Sequence, residues 1–399
     1  MAVADKDHST QLSGGSMAWL YDTRIRAVLS QALVVGAVVW VIWTLVTNTQ
    51  SNMAKRGMAT GFDFLGGTAG FDIGWTLIDF RTGASYFDVY IVGILNTLIV
   101  SVCAIVLSTV VGFFVGVLRL SSNWLVSKLA GWYVELLRNT PLLLQIFFWY
   151  LGVFALLPPP RQSIFITEEL VLNNRGFFFP SPLPGPLFWL TGVTLVLAVI
   201  AAIALHRWAK ARQEATGERF PSILAGIALV ILAPLLVFLA TGQPLAWDVP
   251  KLQGFNFRGG TFVPPSFCAL LVALSIYTSC FIAENVRAGI QSVSHGQTEA
   301  SYALGLRPGW TMRLVIIPQA MRAIVPPLIS QYLNVTKNSS LAVAIGFPDL
   351  VAVWMQTSLN QSGRAIEIVA TTMAFYMTCS LVISALLNIY NKRVQMKER

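Results

Sequence analysis

The stretch from Gln297 to Pro318, QTEASYALGLRPGWTMRLVIIP, carries residue types suited to docking another protein. Glu299 opens a run of good helix formers, and a negative side chain in a first helical turn is favoured by the helix dipole. Ala300, Ser301 and Ala303 keep the surface small, so that a partner can approach closely. Gly305 can take the left-handed conformation that ends a helix, and Pro308 cannot continue one. A short, stiff helix over 297–307 with one uncluttered face is predicted. Two acid–base pairs, Glu135 with Arg138 and Glu284 with Arg287, are each spaced three apart. Residues at that spacing share a helix face and can pair. Pro141 removes a helix hydrogen bond beside the polar residues Asn139, Thr140 and Gln145. The resulting break either exposes backbone to a substrate path or is a passive kink. Lys337 separates two uncharged runs, 323–336 and 338–348, the second opening with Asn338 and Ser339. A charge so placed either faces a cavity or a partner, or snorkels to the outer interface.

Covalent chemistry has no comparable support. There is no G-x-x-x-x-G-K-[ST] loop to cradle ATP, and no HExxH or G-x-S-x-G motif. The four cysteines, Cys103, Cys268, Cys280 and Cys379, lie singly inside apolar runs without CxxC spacing. His8, His206 and His295 are too scattered to suggest a metal site. No cofactor is expected on this chain.

The elements that position these residues are dictated by composition. Of 399 residues, 55% are hydrophobic and only 11% charged. About a quarter would be charged in a soluble protein, so lipid is the solvent for much of the chain. The net charge of +9 is distributed around apolar runs. With no basic–aromatic module present, it reads as a topology signal and implies no nucleic-acid partner. A span needs about 20 apolar residues. Eight candidates follow, at 27–47, 89–118, 128–156, 186–205, 221–241, 264–288, 313–346 and 366–390. Only helices suit runs this long in a bilayer, so the chain is expected to be an all-α membrane protein. The first 20 residues lack the apolar core of a cleaved signal, so the first run is expected to remain as an anchor. Basic residues favour one side, most densely in the loop His206–Arg219, which puts both termini in the cytoplasm.

Five regions are expected. Residues 1–86 hold a polar tail, one span and an outer loop. Residues 87–156 and 264–391 hold the polar and glycine-rich spans, and 157–263 hold two further spans between Pro/Gly-rich outer loops. Residues 392–399 form a basic tail.

The docking stretch resembles the EAA loop of ABC-importer permeases. Glu299-Ala300-Ser301, Gly305 and Val315-Ile316-Ile317-Pro318 stand at matching spacing, with conservative departures at Ser301, Val315 and Ile317. Tyr133 through Gln145 resembles the Y-x-E-x-x-R-G-T-P-L-L-x-Q signature of the polar amino-acid (histidine/glutamine/arginine type) branch, departing at Asn139, where that family has Gly. Gly93–Thr97, Gly112–Arg119, Ile282–Ile290 and Thr336–Leu341 match in order, so the likeness covers 88–156 and 264–391. The two extra spans and long outer loops are similar to those of general L-amino-acid permease subunits of Gram-negative bacteria.

The resemblance implies a type I ABC importer permease with a five-helix core. Glu299, Ala300, Ser301, Gly305 and Pro318 would belong to the coupling element that docks on an ATPase. Asn139, Thr140, Gln145, Lys337, Asn338 and Ser339 are candidates for the substrate path. It also implies two ATPase subunits that hydrolyse ATP, a second related but unlike permease subunit, and a periplasmic amino-acid-binding protein. Transport would proceed by alternating access across the inner membrane. The alternative is an ion-coupled secondary amino-acid transporter, which would rely on acids within the membrane. Such carboxylates are scarce here, with Glu135 and Glu284 expected near the inner ends of their spans. A membrane enzyme would need clustered catalytic residues, and none stand out.

Overall fold

Apolar runs in lipid must satisfy their backbone hydrogen bonds internally, and the chain is built mainly of long helices. The computed structural model describes residues 23–55, 57, 60–81 and 83–394. The polar tail 1–20 with Lys6 and His8, and the basic residues Arg56, Lys397 and Arg399, lie outside the described residues. Helix α1 (Thr23–Lys55) is followed by a largely irregular segment and then α2 (Tyr86–Leu118), α3 (Trp124–Arg138) and α4 (Leu142–Phe147). Helices α5 (Phe188–Thr216) and α6 (Ser222–Ala240) form a hairpin. After it come α7 (Pro265–Gln291), the short α8 (His295–Ala303), α9 (Pro308–Thr311) and α10 (Ile317–Asn338), then α11 (Leu359–Ser362) and α12 (Ala365–Val394). Seven described helices, with Pro308–Ile345 counted as one, are long and apolar enough to cross a membrane. The bent pair Trp124–Arg138 and Leu142–Leu156 makes an eighth span if taken together.

The break expected at Pro141 is a sharp one: within the span 128–156 the chain turns by 101° between Arg138 and Leu142, where Pro141 cannot supply a backbone N–H. Two expectations need correction. Helix α1 runs on to Lys55, shortening the outer loop expected from 48. The outer segments at 157–185 and 242–263 are not plain loops. They hold β1 (Ile164–Phe165), β2 (Val171–Asn173), β3 (Gly176–Phe179), β4 (Ser181–Pro184), β5 (Leu245–Asp248), β6 (Lys251–Gln253), β7 (Asn256–Arg258) and β8 (Thr261–Val263). Aromatic residues there suit a pleated, half-buried surface, and Phe178 packs on Phe257 and Phe262 at ring separations of 5.4 and 5.1 Å.

The four-stranded sheet has the order β1-β2-β3-β8, so β8 joins the outer structure to the start of α7. Trp75 adds a tie by donating its indole N–H to the Phe262 carbonyl at 2.8 Å. Strands β4 and β5 pair antiparallel, with Pro184 opposite Leu245, at the base of the α5–α6 hairpin.

Small residues set the closeness of the core helices. A Cβ on Gly112 would lie 2.6 Å from Ile282, and one on Gly116 would lie 2.8 Å from Val286 and the Ala283 carbonyl. Those glycines let α2 and α7 press together, which in lipid stands in for the absent hydrophobic drive between helices. Gly289 does the same for α7 against Ile324 of α10, and Gly93 for α2 against Leu350.

Candidate coupling surface and permeation path

Helix α8 begins at His295, four residues ahead of Glu299. Glu299 is therefore not in the first turn, as the sequence suggested. It pairs instead with His295 one turn back, Nδ1 to Oε1 at 2.9 Å. The polar residues 295–298 thus form the first turn of the helix, with Ser294 at its N-cap. Ser301 also departs from expectation. It is buried, with its hydroxyl donating to the Gln297 carbonyl at 2.6 Å, so it packs toward its own chain. The outward surface holds Ala300, Ala303, Tyr302 and Leu304, the last 82% exposed.

The end of α8 is closed as the residue types require. Gly305 has φ +75°, its N–H reaches the Tyr302 carbonyl, and the Leu306 N–H reaches the Ser301 carbonyl at 3.1 Å. This doubly bonded stop fixes where the helix ends. Pro308 then starts α9, and a π-helical turn over Met312–Ile316 leads into α10, with Pro318 at its start. A side-chain hydrogen bond of 3.1 Å from Gln319 to Gln297 straps α8 to the root of α10.

A polar ladder runs from the end of α2 along α7 to its last residue. Glu284 accepts hydrogen bonds from Arg119, which caps α2, and from Arg287 at 2.5 Å. Arg287 in turn donates to Gln291, the last residue of α7, at 2.6 Å. The charged groups of this ladder are only 16–29% exposed, so they are screened less than surface pairs. Arg119 joined the ladder without any signal at local spacing. Glu135 and Arg138, by contrast, make no ion pair with each other among the described residues. Both are exposed, where holding two long side chains together gains little.

The break between α3 and α4 sits beside the middle of α7, since Tyr133 Oη lies 2.8 Å from Ser279 Oγ. Gln145 is buried and donates to both the Leu137 carbonyl at 2.8 Å and the Thr140 carbonyl at 3.2 Å. One side-chain amide thus satisfies carbonyls that the break at Pro141 leaves free. The Thr140 hydroxyl is likewise turned to its own helix, donating to Leu136 at 2.8 Å, while Asn139 stays exposed. Lys337 is exposed in the last turn of α10, at the end away from α8, and makes no ion pair among the described residues. Asn338 is half-buried, and Ser339 is buried with its hydroxyl on the Thr336 carbonyl at 2.7 Å. The two groups flank one apolar cluster, in which Leu142 and Ile146 share neighbours with Val335 and Ala342.

A further buried polar cluster escaped the sequence reading. Asp349 is 1% exposed. Its Oδ1 accepts from the Ala352 N–H at 2.9 Å, and its Oδ2 has no partner among the described residues. Thr97 accepts the Leu350 N–H at 3.0 Å, and Asn96 donates to the Pro348 carbonyl at 2.8 Å and the Trp75 carbonyl at 3.1 Å. Asn96 Oδ1 and Tyr376 Oη are also buried and without a partner among the described residues. A signal was available, because Asp349 is the sole acid between Glu299 and Glu367.

Residues 194–396 match the family described as binding-protein-dependent transport system inner membrane component, and the coupling stretch falls within them. The general L-amino acid transport system permease protein AapQ of Rhizobium johnstonii is 49% identical over 380 residues, covering 95% of each chain. The glutamate/glutamine/aspartate/asparagine transport system permease protein BztB of Rhodobacter capsulatus is 42% identical over 415 residues, 95% of this chain and 96% of that one. The solved structure of an amino acid ABC transporter with histidines is similar over 77% of this chain and 95% of that one, with 22% identity and a TM-score of 0.46. With a family match over half the chain and near-full-length kinship on top of it, this multi-span protein belongs to the binding-protein-dependent inner membrane components, as a member of the amino-acid ABC permeases.

Proposed function

We propose that the chain imports L-amino acids of broad or polar type, taking them from a periplasmic binding protein and driven by ATPases on which α8 docks. The observation that carries the reading is the build of α8: a short helix with a fixed stop at Gly305, strapped to α10 and presenting Leu304 to the outside. The names of the relatives support the substrate class. The ion-coupled alternative finds no support in this kinship.

In this reading the chain binds no cofactor and has no ATPase site of its own, and ATP is hydrolysed by the partner. The second permease subunit is a related, unlike chain, both termini are cytoplasmic, and the membrane is the bacterial inner membrane. Closure of the ATPases moves α8, and the Arg119–Glu284–Arg287 ladder passes that motion to α2 and α7. Asn139, Lys337 and Asn338 line the route beside the α3–α4 break. The unpartnered oxygens of Asn96 and Asp349 and the Tyr376 hydroxyl offer hydrogen bonds to an amino acid's ammonium and carboxylate groups, since buried polar atoms need partners.

The test is ATP-dependent uptake of labelled amino acids into proteoliposomes holding the co-purified complex. Leu304→Asp is expected to abolish uptake and stimulated ATP hydrolysis without disturbing the folded chain, and Glu299→Arg to reduce both. Full ATP-driven uptake by Leu304→Asp would remove α8 from coupling, and uptake that needs no ATP would overturn the importer reading.

A further inference from the structure

Away from the core, a groove of about 600 Å³ runs between α5 and α6. Its walls are apolar, including Val199, Ile203, Ile227 and Val230, and it ends at His206 and Arg207. The helices meet tightly where Gly226 faces Ala202, at 3.3 Å from a notional Cβ. A contact of 3.1 Å between His206 Nδ1 and Ser222 Oγ holds the polar end.

The charge at that end is largely uncommitted. Arg212 pairs with Glu218 at 2.7 Å and lies over the Trp208 ring. Arg207, Lys210 and Arg219 make no ion pair among the described residues. Trp208, exposed and in contact with Phe220, sits at the same level, as aromatic residues do at the boundary between hydrocarbon and headgroups. The chain crosses by α6 and again by α7 before reaching α8, so this end shares a membrane face with the coupling helix.

We infer that the groove is a binding site for an anionic phospholipid, with an acyl chain along the α5–α6 walls and the phosphate on Arg207, supported by Lys210 and Arg219. An apolar slot ending in free cations matches the two-part chemistry of such a lipid, and basic pockets between membrane helices on the cytoplasmic side favour anionic headgroups. Another apolar helix seated there would offer Arg207 no anionic partner, whereas a lipid phosphate supplies one. A second copy of the groove would bring Arg207 against like charge.

The experiment is native mass spectrometry of the purified, assembled transporter, titrated with phosphatidylglycerol and with phosphatidylcholine of the same acyl chains. Phosphatidylglycerol is expected to bind about tenfold more tightly. Arg207→Ala is expected to weaken phosphatidylglycerol about fivefold, as loss of one near-surface cation would, and to leave phosphatidylcholine unchanged. Ile203→Trp, at an exposed wall position, fills the groove and is expected to displace both lipids. Equal affinity for the two lipids, or phosphatidylglycerol binding indifferent to both substitutions, would overturn the inference. So would efficient disulfide crosslinking of Ile227→Cys to cysteines placed on the second permease subunit, which would show protein in the groove.

Discussion

The core and the peripheral helices are all apolar enough to cross a membrane, yet they differ in how they pack. About two thirds of the most apolar stretch of α7 is buried, against 6% for α5 and none for α1. The difference lies in small and polar residues. Helix α7 buries Ser275, Thr278, Ser279 and Gly289, and α2 buries Asn96, Thr97, Gly112 and Gly116. Helix α5 buries only Ala198 and Ala209. Hydropathy therefore finds a span, while closely packed glycines and bonded hydroxyls identify a span that touches protein.

The contrast is sharpest for a glycine placed in each region. Gly112→Val would force a side chain into Ile282 and the Ser279 carbonyl, and overpacking of that kind costs about 1–3 kcal/mol or more. The corresponding change in the periphery, Gly192→Val, meets nothing within 4 Å and should be silent. Thermal denaturation of the solubilised complex, followed by size exclusion, measures both. Equal effects would dissolve the distinction between core and periphery.

A smaller effect is expected from the ladder. Glu284→Gln removes the charge that holds Arg119 and Arg287. The groups are partly exposed, so the loss should be roughly 1–2 kcal/mol, below that of a fully buried pair. The control in the periphery is Glu218→Gln, whose pair with Arg212 is well exposed and should leave the melting temperature unchanged. The proposed coupling role adds a second readout, uptake per ATP hydrolysed, which only the Glu284 change should lower.

The smallest difference in stability separates two helix stops of the same shape. Gly305 and Gly217 have φ of +75° and +76° at the ends of α8 and α5. Ala at either position should cost about 1 kcal/mol locally. Only Gly305→Ala is expected to lower ATPase stimulation by added binding protein. An equal loss for Gly217→Ala would give the α5–α6 turn a part in coupling.

Much of this architecture was legible in the residues. The apolar runs gave every span, and Pro141 marked the break, because the absence of an N–H and the bulk of a ring act locally. Gly305 was legible for the same reason. What depended on tertiary contact was not. Ser301 looks like part of a bare docking face, and only the placement of α8 over the root of α10 turns it inward. Arg119 and Glu284 are 165 positions apart, so no local spacing links them. The outer strands are only two to four residues long, too short for alternation to stand out among prolines and glycines.

The pairing of β4 with β5 has a consequence for how such a chain can be rebuilt. It sets Pro184 opposite Leu245, and the Gly185 N–H bonds the Pro244 carbonyl at 2.8 Å. The polypeptide thus leaves for a double passage through the bilayer and returns to the spot from which it left. Residues 185–244 form a cassette whose ends already meet, so a tight turn could take their place without moving either strand. Lengthening, shortening or exchanging the hairpin is then a local edit that leaves the β4–β5 pair in place.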